Sequence, residues 1–289
     1  MAEDISLVGT CAGEHAGERL DVVAAKLFPE HSRARLQAWI RSGELTVDGV
    51  VRKPRDRVEP GQVLAISATV EDCESWRPEA LPLDIMHEDD ALIVLNKPAG
   101  LVVHPAAGNR DGTVLNALIH HCPGQAALPR AGIVHRLDKD TSGLMVVAKT
   151  LSAHTGLVEQ LQARSVHREY LAIVHGYVTG GGKVDAPIGR HPVQRKKMAV
   201  VSHGGKPAVS HYRVAERFAH YTALSVRLES GRTHQIRVHM AHIQHPLVGD
   251  PVYGGRPRVP PGAAPELLEA VRGFKRQALH ARRLELIHP

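Results

Sequence analysis

The sequence predicts an α+β protein in which a small two-helix domain precedes a larger domain with a mixed, largely antiparallel sheet flanked by helices. The length of 289 residues suggests about two domains, since one domain takes roughly 100–200 residues. A content of 43% hydrophobic and 23% charged residues is typical of globular chains and argues against a disordered or collagen-like protein. In the second part, strand patterns outnumber helical patterns and do not alternate with them, which argues against a doubly wound parallel sheet.

The first domain is predicted at residues 17–72, after an N-terminal tail at residues 1–16. Within it, apolar residues recur at helical spacing in two stretches, 20–27 and 36–40, so two amphipathic helices are expected. Ser32 is the expected N-cap of the second helix, because its hydroxyl can accept a hydrogen bond from an unpaired backbone N–H.

Two further features of this domain bear on its role. Asp48-Gly49 lies between two short apolar runs, which predicts a tight hairpin turn. The second helix carries Arg33, Gln37 and Arg41 at intervals of four residues, a stripe that would suit contact with a phosphate backbone. A solvated helix face is the commoner explanation of such a stripe.

An acidic linker is predicted at residues 73–84, and the second domain at residues 85–289. Residues 71–90 contain eight acidic residues, two prolines and a single base, Arg77. This composition is typical of a solvated connection between domains.

In the second domain, strands are predicted where apolar residues run or alternate, and helices where a hydroxyl residue precedes an apolar stripe. The predicted strands lie at residues 91–95, 100–104, 144–148, 170–178 and 222–228. The predicted helices follow the caps Thr113, Ser152 and Thr233.

The charge of the chain is uneven. The formal net charge is +6, yet residues 161–240 alone contain thirteen Lys or Arg against four Asp or Glu. This segment is expected to form a face that binds a polyanion, with an ordinary basic surface as the alternative. Aromatic residues make up only 3% of the chain, which argues against a broad base-stacking platform.

The cysteines and the apolar runs bear on where in the cell the protein is expected. Cys11, Cys73 and Cys122 are widely separated and form no CxxC pair, which argues against a disulfide framework or a zinc ribbon and favours the cytoplasm. The apolar runs are far shorter than the ~20 residues of a membrane-spanning helix. The first residues, MAEDISLVGT, show no secretory signal.

Chemistry is expected at residues 135–144, HRLDKDTSGL, where carboxylates, cations and a histidine crowd between two apolar strands. Such charges beside buried strands cost stability unless they are paired or functional. Asp138 is expected to be ionised and able to act as a nucleophile or base. A turn in which Asp140 or Thr141 caps the backbone is the structural alternative.

Other common chemistries lack their motifs. HExxH, GxSxG, the Walker loop and a GxGxxG after a strand are all absent. Asp138 and Asp140 are too close in sequence to flank a sugar ring from opposite sides. A zinc site is not expected either, because one histidine cluster falls on more than one helix face. Its members are His234, His239, His242 and His245.

Two parts of the chain resemble known families. RLDVVAAKL, SRARLQAWIRSGELTVDGVV and VEPGQVLAI, all within residues 19–66, resemble the S4 RNA-binding domain. AGIVHRLDKDTSGLMVVAKT resembles the catalytic signature of the RluA family of RNA pseudouridine synthases. The resemblance extends over nearly the whole chain through NKPAGLVVHPAAGNRDGTVLNAL, HREYLAIVHG, LESGRTHQIRVHMAHIQHPLVGDPVYGG and RQALHARRLELIHP.

The resemblance implies roles for particular residues. Asp138 would be the catalytic nucleophile and base, and Arg237 its ion-pair partner. Tyr170 would pack on the target uracil and take part in proton transfer, while Leu279 would add an apolar wall. The first three roles also suit the side chains, because an arginine fork orients a carboxylate and an aromatic face binds a base. The residues assigned to RNA contact are Arg136, Arg33, Arg41, Arg232 and His234.

The implied reaction is the isomerisation of uridine to pseudouridine in 23S-type large-subunit ribosomal RNA. The N1–C1′ bond breaks, the uracil turns and C5 joins C1′ on a nucleotide that has left its stack. No atom is gained or lost, so neither a cofactor nor a metal is expected. The expected partner is ribosomal RNA or a pre-ribosomal particle, with no membrane and a monomeric protein. Family members usually continue past Pro289, so the C-terminal end is expected to be truncated.

Two other functions stay open at this point. The first is a non-catalytic RNA-binding or ribosome-assembly factor on the same scaffold, against which Asp138, Tyr170 and Arg237 argue together. The second is a carboxylate-dependent hydrolase of another anionic substrate, against which the S4-like first domain argues.

Overall fold

The computed structural model divides the chain into two compact units, Met1–Ser75 and Trp76–Pro289. The residues that it describes are 3–29, 31, 33–70, 76–106, 108–194, 197–255, 259 and 261–289. Each unit has its own buried apolar residues. Strands and helices are mixed in both units, so the α+β class is confirmed.

The first unit packs two helices against a small antiparallel sheet. Its elements are β1 (Glu3–Thr10), α1 (Leu20–Leu27), α2 (Arg33–Ser42), β2 (Leu45–Val47) and β3 (Val63–Val70). The strand order is β1-β3-β2 in the described residues. The apolar stripes that predicted the helices are buried, as Leu20, Leu36 and Ile40 show, and they form one core with Leu64 and Ile66.

The N-terminal tail predicted at residues 1–16 is wrong for the residues that the structure describes. Strand β1 pairs with β3 from Glu3 to Thr10, and Ile5 and Leu7 pack against the core of the unit. Half-buried Ile5 and Leu7 alternate with exposed Ser6 and Val8, which is the two-residue period of a strand with one buried face. The strand covers an edge of β3 that would otherwise expose unpaired backbone groups.

The predicted hairpin turn is confirmed at Asp48-Gly49. Both residues have positive φ, 50° and 77°, and Val47 and Val50 exchange backbone hydrogen bonds across them. Such a turn needs left-handed backbone at its two central positions, which Asp and Gly tolerate best. The returning strand is absent among the described residues beyond Val50, and β2 pairs with β3 instead. The proposed cap Ser32 lies outside the described residues.

The described part of the second unit contains an eight-stranded main sheet and a separate two-stranded sheet. Its strands are β4 (Ile85–Glu88), β5 (Leu92–Lys97), β6 (Ser142–Ala148), β7 (His167–His175), β8 (Gly182–Asp185), β9 (Ile188–Arg190), β10 (Met198–Val200), β11 (Val209–Arg217), β12 (Tyr221–Leu228) and β13 (Leu279–Glu285). Its helices are α3 (Val114–His121), α4 (Leu151–Gln162), α5 (Gln235–His242) and α6 (Pro265–Gly273). Short 3-10 turns lie at Pro123–Ala127 and Pro129–Gly132, and another at Gly13–His15 in the first unit.

The strand order in the described part of the main sheet is β4-β5-β6-β13-β7-β12-β11-β8, and β9 and β10 pair separately. Its neighbours are antiparallel except for β6 and β13, which run parallel at the centre. Gly143 lies at this junction with a φ of 115°, and a Cβ there would overlap the backbone of Ala281. Glycine is therefore required where the C-terminal strand joins the strand that follows the polar loop.

The predicted linker at residues 73–84 lies partly outside the described residues, and its described part packs on the second unit. Trp76 and Leu83 pack against the cluster around Ile93 and Leu115. The Asn116 side chain donates to the carbonyl of Arg77 at 2.9 Å. The apolar residues between the acids therefore anchor this segment, so from Trp76 onward it is part of the second unit.

Three local expectations in the second unit need correction. Helix α4 starts two residues earlier than the cap Ser152 implies, because Thr150 Oγ1 accepts from the N–H of Ala153 at 3.1 Å. Helix α5 has His234 at its N-cap position instead of Thr233. The apolar run 100–104 forms only one bridge, at Val102, since the chain there turns around the buried Lys97. Thr113 caps α3 as predicted.

No helix among the described residues is long and apolar enough to cross a membrane.

Candidate active site

Asp138 lies in a loop that is closed by a turn and tied to the C-terminal part of the chain. The N–H of Thr141 donates to the carbonyl of Asp138 at 3.0 Å. The hydroxyl of Thr141 in turn accepts from Gln277 Nε2 at 3.1 Å, and both of these side chains are buried. The loop leads directly into β6, so the position of Asp138 is fixed by the central strand of the sheet.

Lys97 also fixes the loop that carries Asp138. Its ammonium donates to three carbonyls, those of Pro98 and Leu101 at 2.8 Å and that of Lys139 at 2.9 Å. Burial lowers the pKa of Lys97 to about 8, although Asp140 and Asp138 act to raise it. Lys97 was not predicted from the sequence, although a charged side chain at the end of an apolar strand was an available signal.

His135 is a structural residue of the loop. Its Nε2 accepts from the N–H of Val146 at 3.0 Å. Burial, with a smaller effect from Arg168, lowers the pKa of His135 to about 3. The ring is therefore neutral, which suits an acceptor of a backbone hydrogen bond and does not suit a proton carrier at neutral pH.

Arg237 joins two carboxylates. Its Nη1 lies 3.1 Å from Asp138 Oδ2, while Nε and Nη2 bind Asp250 in a bidentate pair at 2.7 and 2.9 Å. Burial acts to lower the pKa of Arg237, but the bonds to Asp250 and the charge of Asp138 raise it overall. Asp250 is 2% exposed and accepts further N–H groups from Val252 and Tyr253. Asp250, which the sequence analysis did not assign, therefore fixes the guanidinium that faces Asp138.

The second oxygen of Asp138 faces a histidine. His234 Nε2 lies 4.0 Å from Asp138 Oδ1, and His234 Nδ1 lies 2.9 Å from the hydroxyl of Tyr253. Tyr253 also places its ring 5.1 Å from the guanidinium carbon of Arg237. One tyrosine thus contacts both side chains that face the carboxylate of Asp138.

Tyr170 and Leu279 form an apolar wall. They lie on the adjacent strands β7 and β13, are 6% exposed each, and pack in one cluster with Leu137. Burial raises the pKa of Tyr170, with opposing effects from Arg168 and Asp138. Its hydroxyl is therefore protonated at neutral pH and can donate a proton or a hydrogen bond.

Several of these side chains line one cavity of about 870 Å³. The residues assigned from the sequence that it brings together are Asp138, Tyr170, Arg237, Arg136, Arg232, His234 and Leu279. The cavity also has a basic rim that includes three arginines that the sequence analysis did not assign: Arg130, Arg164 and Arg168. A rim of this charge favours a polyanion.

Arg33 and Arg41 belong to the first unit, where a buried aspartate engages part of the predicted stripe. Asp21 is fully buried and accepts from Arg19, Arg33 and Gln37, with Arg33 Nη2 at 2.7 Å. Burial acts to raise the pKa of Asp21, but these donors lower it to about 2. Arg33 therefore has a structural partner, while Arg41 is exposed and donates to Gln37 at 3.3 Å.

His239 in α5 and His245 after α5 have separate partners. His239 is buried and bonds to Ser210 and to the carbonyl of Ala186. His245 contacts the carbonyl of His175. Within the described part of the chain, no group of three His, Cys, Asp or Glu side chains could hold a metal ion.

A half-buried carboxylate beside an aromatic wall, inside a rim of arginines, suits proteins that hold a nucleic acid against an acidic group. The chain belongs to the RNA pseudouridylate synthase family, whose model matches residues 91–242. An S4 domain model matches residues 18–64. Both resemblances predicted from the sequence are thereby confirmed, and the chain is an enzyme of this family.

Similar proteins cover the whole chain. It is 62% identical over 289 residues to a ribosomal large subunit pseudouridine synthase D of Pseudomonas aeruginosa, covering 100% of this chain and 90% of the relative. A protein of the same name from Escherichia coli is 56% identical over 290 residues, covering 100% of this chain and 89% of the relative. Among solved structures, human RNA pseudouridylate synthase domain containing 1 is 25% identical with a TM-score of 0.55, over 71% of this chain and 79% of that chain.

Proposed function

We propose that this protein isomerises uridines to pseudouridine in large-subunit ribosomal RNA, with Asp138 as the reacting carboxylate. The observation that carries the proposal is the position of Asp138, which lies 3.1 Å from Arg237 and lines a cavity that several arginines also line. The names of the relatives from Pseudomonas aeruginosa and Escherichia coli support the large ribosomal subunit as the source of the substrate.

Asp138 supplies the carboxylate that the isomerisation needs. The N1–C1′ bond breaks, the uracil turns while it stays in the cavity, and C5 forms the new bond to C1′. The hydrogen on C5 then leaves as a proton and N1 gains a proton, so that no atom is lost overall. Arg237 orients Asp138 through one guanidinium nitrogen while Asp250 holds the others.

Tyr170 and Leu279 provide the surface for the detached base. The ring of Tyr170 offers an aromatic face, and its protonated hydroxyl can donate a proton. Both side chains are buried in the folded protein, so the wall is formed before RNA binds. A preformed wall holds the detached uracil close to C1′ while the base turns.

The basic rim holds the backbone of the RNA around the flipped nucleotide. Extrusion of a base costs a few kcal/mol, which contacts between arginines and phosphates can offset. Arg136 is exposed beside Asp138, and Arg232 lies on the loop that precedes α5. In the first unit, exposed Arg41 adds a further phosphate contact.

We place the protein in the cytoplasm, where it takes part in ribosome biogenesis as a monomer. Ribosomal RNA or a pre-ribosomal particle would be its partner. The matched S4 domain supports RNA as the ligand of the first unit.

The test is an assay of Asp138→Ala on a large-subunit RNA transcript that carries tritium at C5 of uridine. Isomerisation releases this tritium to water, so the rate of release measures the reaction. We expect no release above background, because the reacting carboxylate is gone, and unchanged RNA affinity in filter binding. Release at the wild-type rate would contradict the assignment of Asp138.

The matched control is Asp140→Ala, which removes a neighbouring carboxylate from the same loop. The backbone carbonyl of Asp140 accepts from Arg276 Nη1 at 3.3 Å, and this bond does not involve the side chain that the substitution removes. Release near the wild-type rate is expected. If the wild type itself binds the RNA but releases no tritium, a non-catalytic RNA-binding function replaces the proposed one.

A further inference from the structure

His234 stands out because its backbone is strained at the edge of the cavity. Its φ and ψ are 58° and 23°, the left-handed region, although it is not a glycine. Non-glycine residues in this region cost free energy, and such outliers cluster at functional sites. The conformation directs the ring between Asp138 and Tyr253, at 4.0 and 2.9 Å.

The contacts of the ring determine which nitrogen carries the proton. The hydroxyl of Tyr253 accepts from the N–H of Met198 at 2.9 Å, so its own hydrogen is available for His234 Nδ1. A neutral imidazole that accepts at Nδ1 carries its hydrogen on Nε2. Nε2 is the nitrogen that faces Asp138 Oδ1, where a donor is favourable.

Charges around the ring support a neutral imidazole. Burial lowers the pKa of His234, and the cations Arg237 and Arg136 act in the same direction. Asp138 and Asp250 act to raise it. The ring therefore offers Asp138 one N–H donor in a fixed orientation and adds no second cation.

We propose that His234 is a positioning residue, whose Nε2–H, held by Tyr253, directs Asp138 Oδ1 while Arg237 directs Oδ2. The distance of 4.0 Å closes to a hydrogen bond when RNA fills the cavity, as catalytic contacts often tighten only in the complex. This inference rests on the proposed function. It gives His234 a contact with Asp138, whereas the sequence resemblance implied a contact with RNA. Tyr253, which nothing in the sequence singled out, becomes the group that fixes the tautomer.

Two substitutions by amide side chains test the two ring nitrogens of His234 separately. His234→Gln places an amide near the Nε2 position, facing Asp138, whereas His234→Asn keeps only a group near Nδ1, facing Tyr253. We expect His234→Asn to lower the single-turnover rate of tritium release about 10- to 100-fold, since it removes a donor to a charged group. His234→Gln should restore most of that loss, and RNA affinity should be unchanged in both variants.

Tyr253→Phe removes the hydroxyl that holds the tautomer, and it should also lower the rate without changing RNA affinity. Combined with His234→Asn it should add no further loss, because both changes break one chain of contacts. Thermal unfolding of every variant shows whether the fold is retained. Asn tolerates left-handed backbone at least as well as Gln. Backbone strain would therefore not explain a lower rate in His234→Asn than in His234→Gln.

Several outcomes would overturn the inference. One is equal rates for His234→Asn and the wild type. Another is a loss of RNA affinity in both His234 variants with an unchanged single-turnover rate, which would make His234 an RNA contact. A third is additive loss in the double variant. A wild type that binds RNA without releasing tritium would instead contradict the proposed function.

Discussion

Each unit of the protein holds an aspartate with arginines, and the two arrangements differ in what they leave available. Asp21 in the first unit is fully buried and accepts from Arg19, Arg33 and Gln37. Asp138 in the second unit is 18% exposed and shares one arginine, Arg237, with another carboxylate. Among the described residues, the carboxylate of Asp21 accepts five hydrogen bonds from these donors, whereas that of Asp138 accepts one, from Arg237, and lines the cavity.

The difference lies in where the charge of the arginine is neutralised. Asp250 binds Arg237 through two nitrogens and is buried, so most of the guanidinium is already paired before Asp138 contacts it. Asp138 therefore gains orientation from one nitrogen without losing its remaining lone pairs. A carboxylate that accepts from every side, as Asp21 does, has none left for a substrate.

The largest effect is expected when Arg237 is removed. Arg237→Ala leaves Asp250 buried without its partner, and breaking a buried pair costs about 3–5 kcal/mol of the free energy of unfolding. It also removes the group that orients Asp138, so tritium release should fall with stability. Denaturant unfolding and the release assay measure the two effects.

The control for Arg237→Ala is an exposed ion pair of the same unit. Lys183 Nζ lies 3.0 Å from Asp185 Oδ2, and both side chains are at least half exposed. Lys183→Ala should change the free energy of unfolding by less than about 1 kcal/mol. Equal losses of the free energy of unfolding in the two variants would show that burial does not increase the contribution of the Arg237–Asp250 pair to stability.

A smaller effect is expected for Asp21→Asn, which should destabilise the first unit by about 1–3 kcal/mol because charged donors lose their acceptor. Trp39 is buried in this unit, and the chain has two tryptophans. With Trp76→Phe in the background, Trp39 fluorescence follows unfolding of the first unit. Tritium release from a short RNA at saturating concentration should be unchanged.

The same substitution should also change the pH dependence of the first unit. The pKa of Asp21 is about 2 in the folded protein against an ordinary 3.8, so the folded state favours the carboxylate. Its contribution to stability is present above pH 3.8 and is lost as the pH falls through 2. In Asp21→Asn, the free energy of unfolding of the first unit should vary less with pH in this acid range. Glu59→Gln, at an exposed side chain, should keep the wild-type dependence. An unchanged profile in Asp21→Asn would refute the assignment.

The smallest effect concerns the two arginines of α2. Arg41→Ala should weaken RNA binding and lower the salt dependence of affinity by about one counterion, without a change in stability. Arg33→Ala should destabilise the first unit, since Arg33 bonds to Asp21. Filter binding at several salt concentrations, with Trp39 fluorescence, separates the two variants. An unchanged salt slope in Arg41→Ala would remove this residue from the RNA interface.

The sequence predicted elements whose signals are local. The apolar stripe of α1, the turn at Asp48-Gly49 and the cap Thr113 are confirmed because each depends on neighbouring residues. Strand β1 was missed because its pairing partner, β3, begins more than fifty residues after β1 ends. Local pattern also placed the start of α4 at Ser152, although Thr150 and Ser152 are both competent caps and only the packed helix decides between them.

The candidate site divides in the same way. Asp138 and Arg237 were assigned through a resemblance to a family, and they are 99 positions apart in sequence. Lys97, Asp250 and Tyr253 were missed, because a buried lysine or aspartate has no sequence pattern of its own. Their importance follows from the distances to Asp138 and Arg237, which exist only in the folded chain.

The sequence by itself determined the family, the S4 domain, and the aspartate around which the proposed chemistry is organised. In the described part of the second unit it also located three of the four helices and four of the ten strands. Only the tertiary structure decided how the charges are shared, with Arg33 bound to Asp21 and Arg237 divided between Asp250 and Asp138. The physical reason is the range of the interactions. Backbone conformation responds to adjacent residues, whereas an ion pair forms between side chains that the sheet brings together from distant parts of the chain.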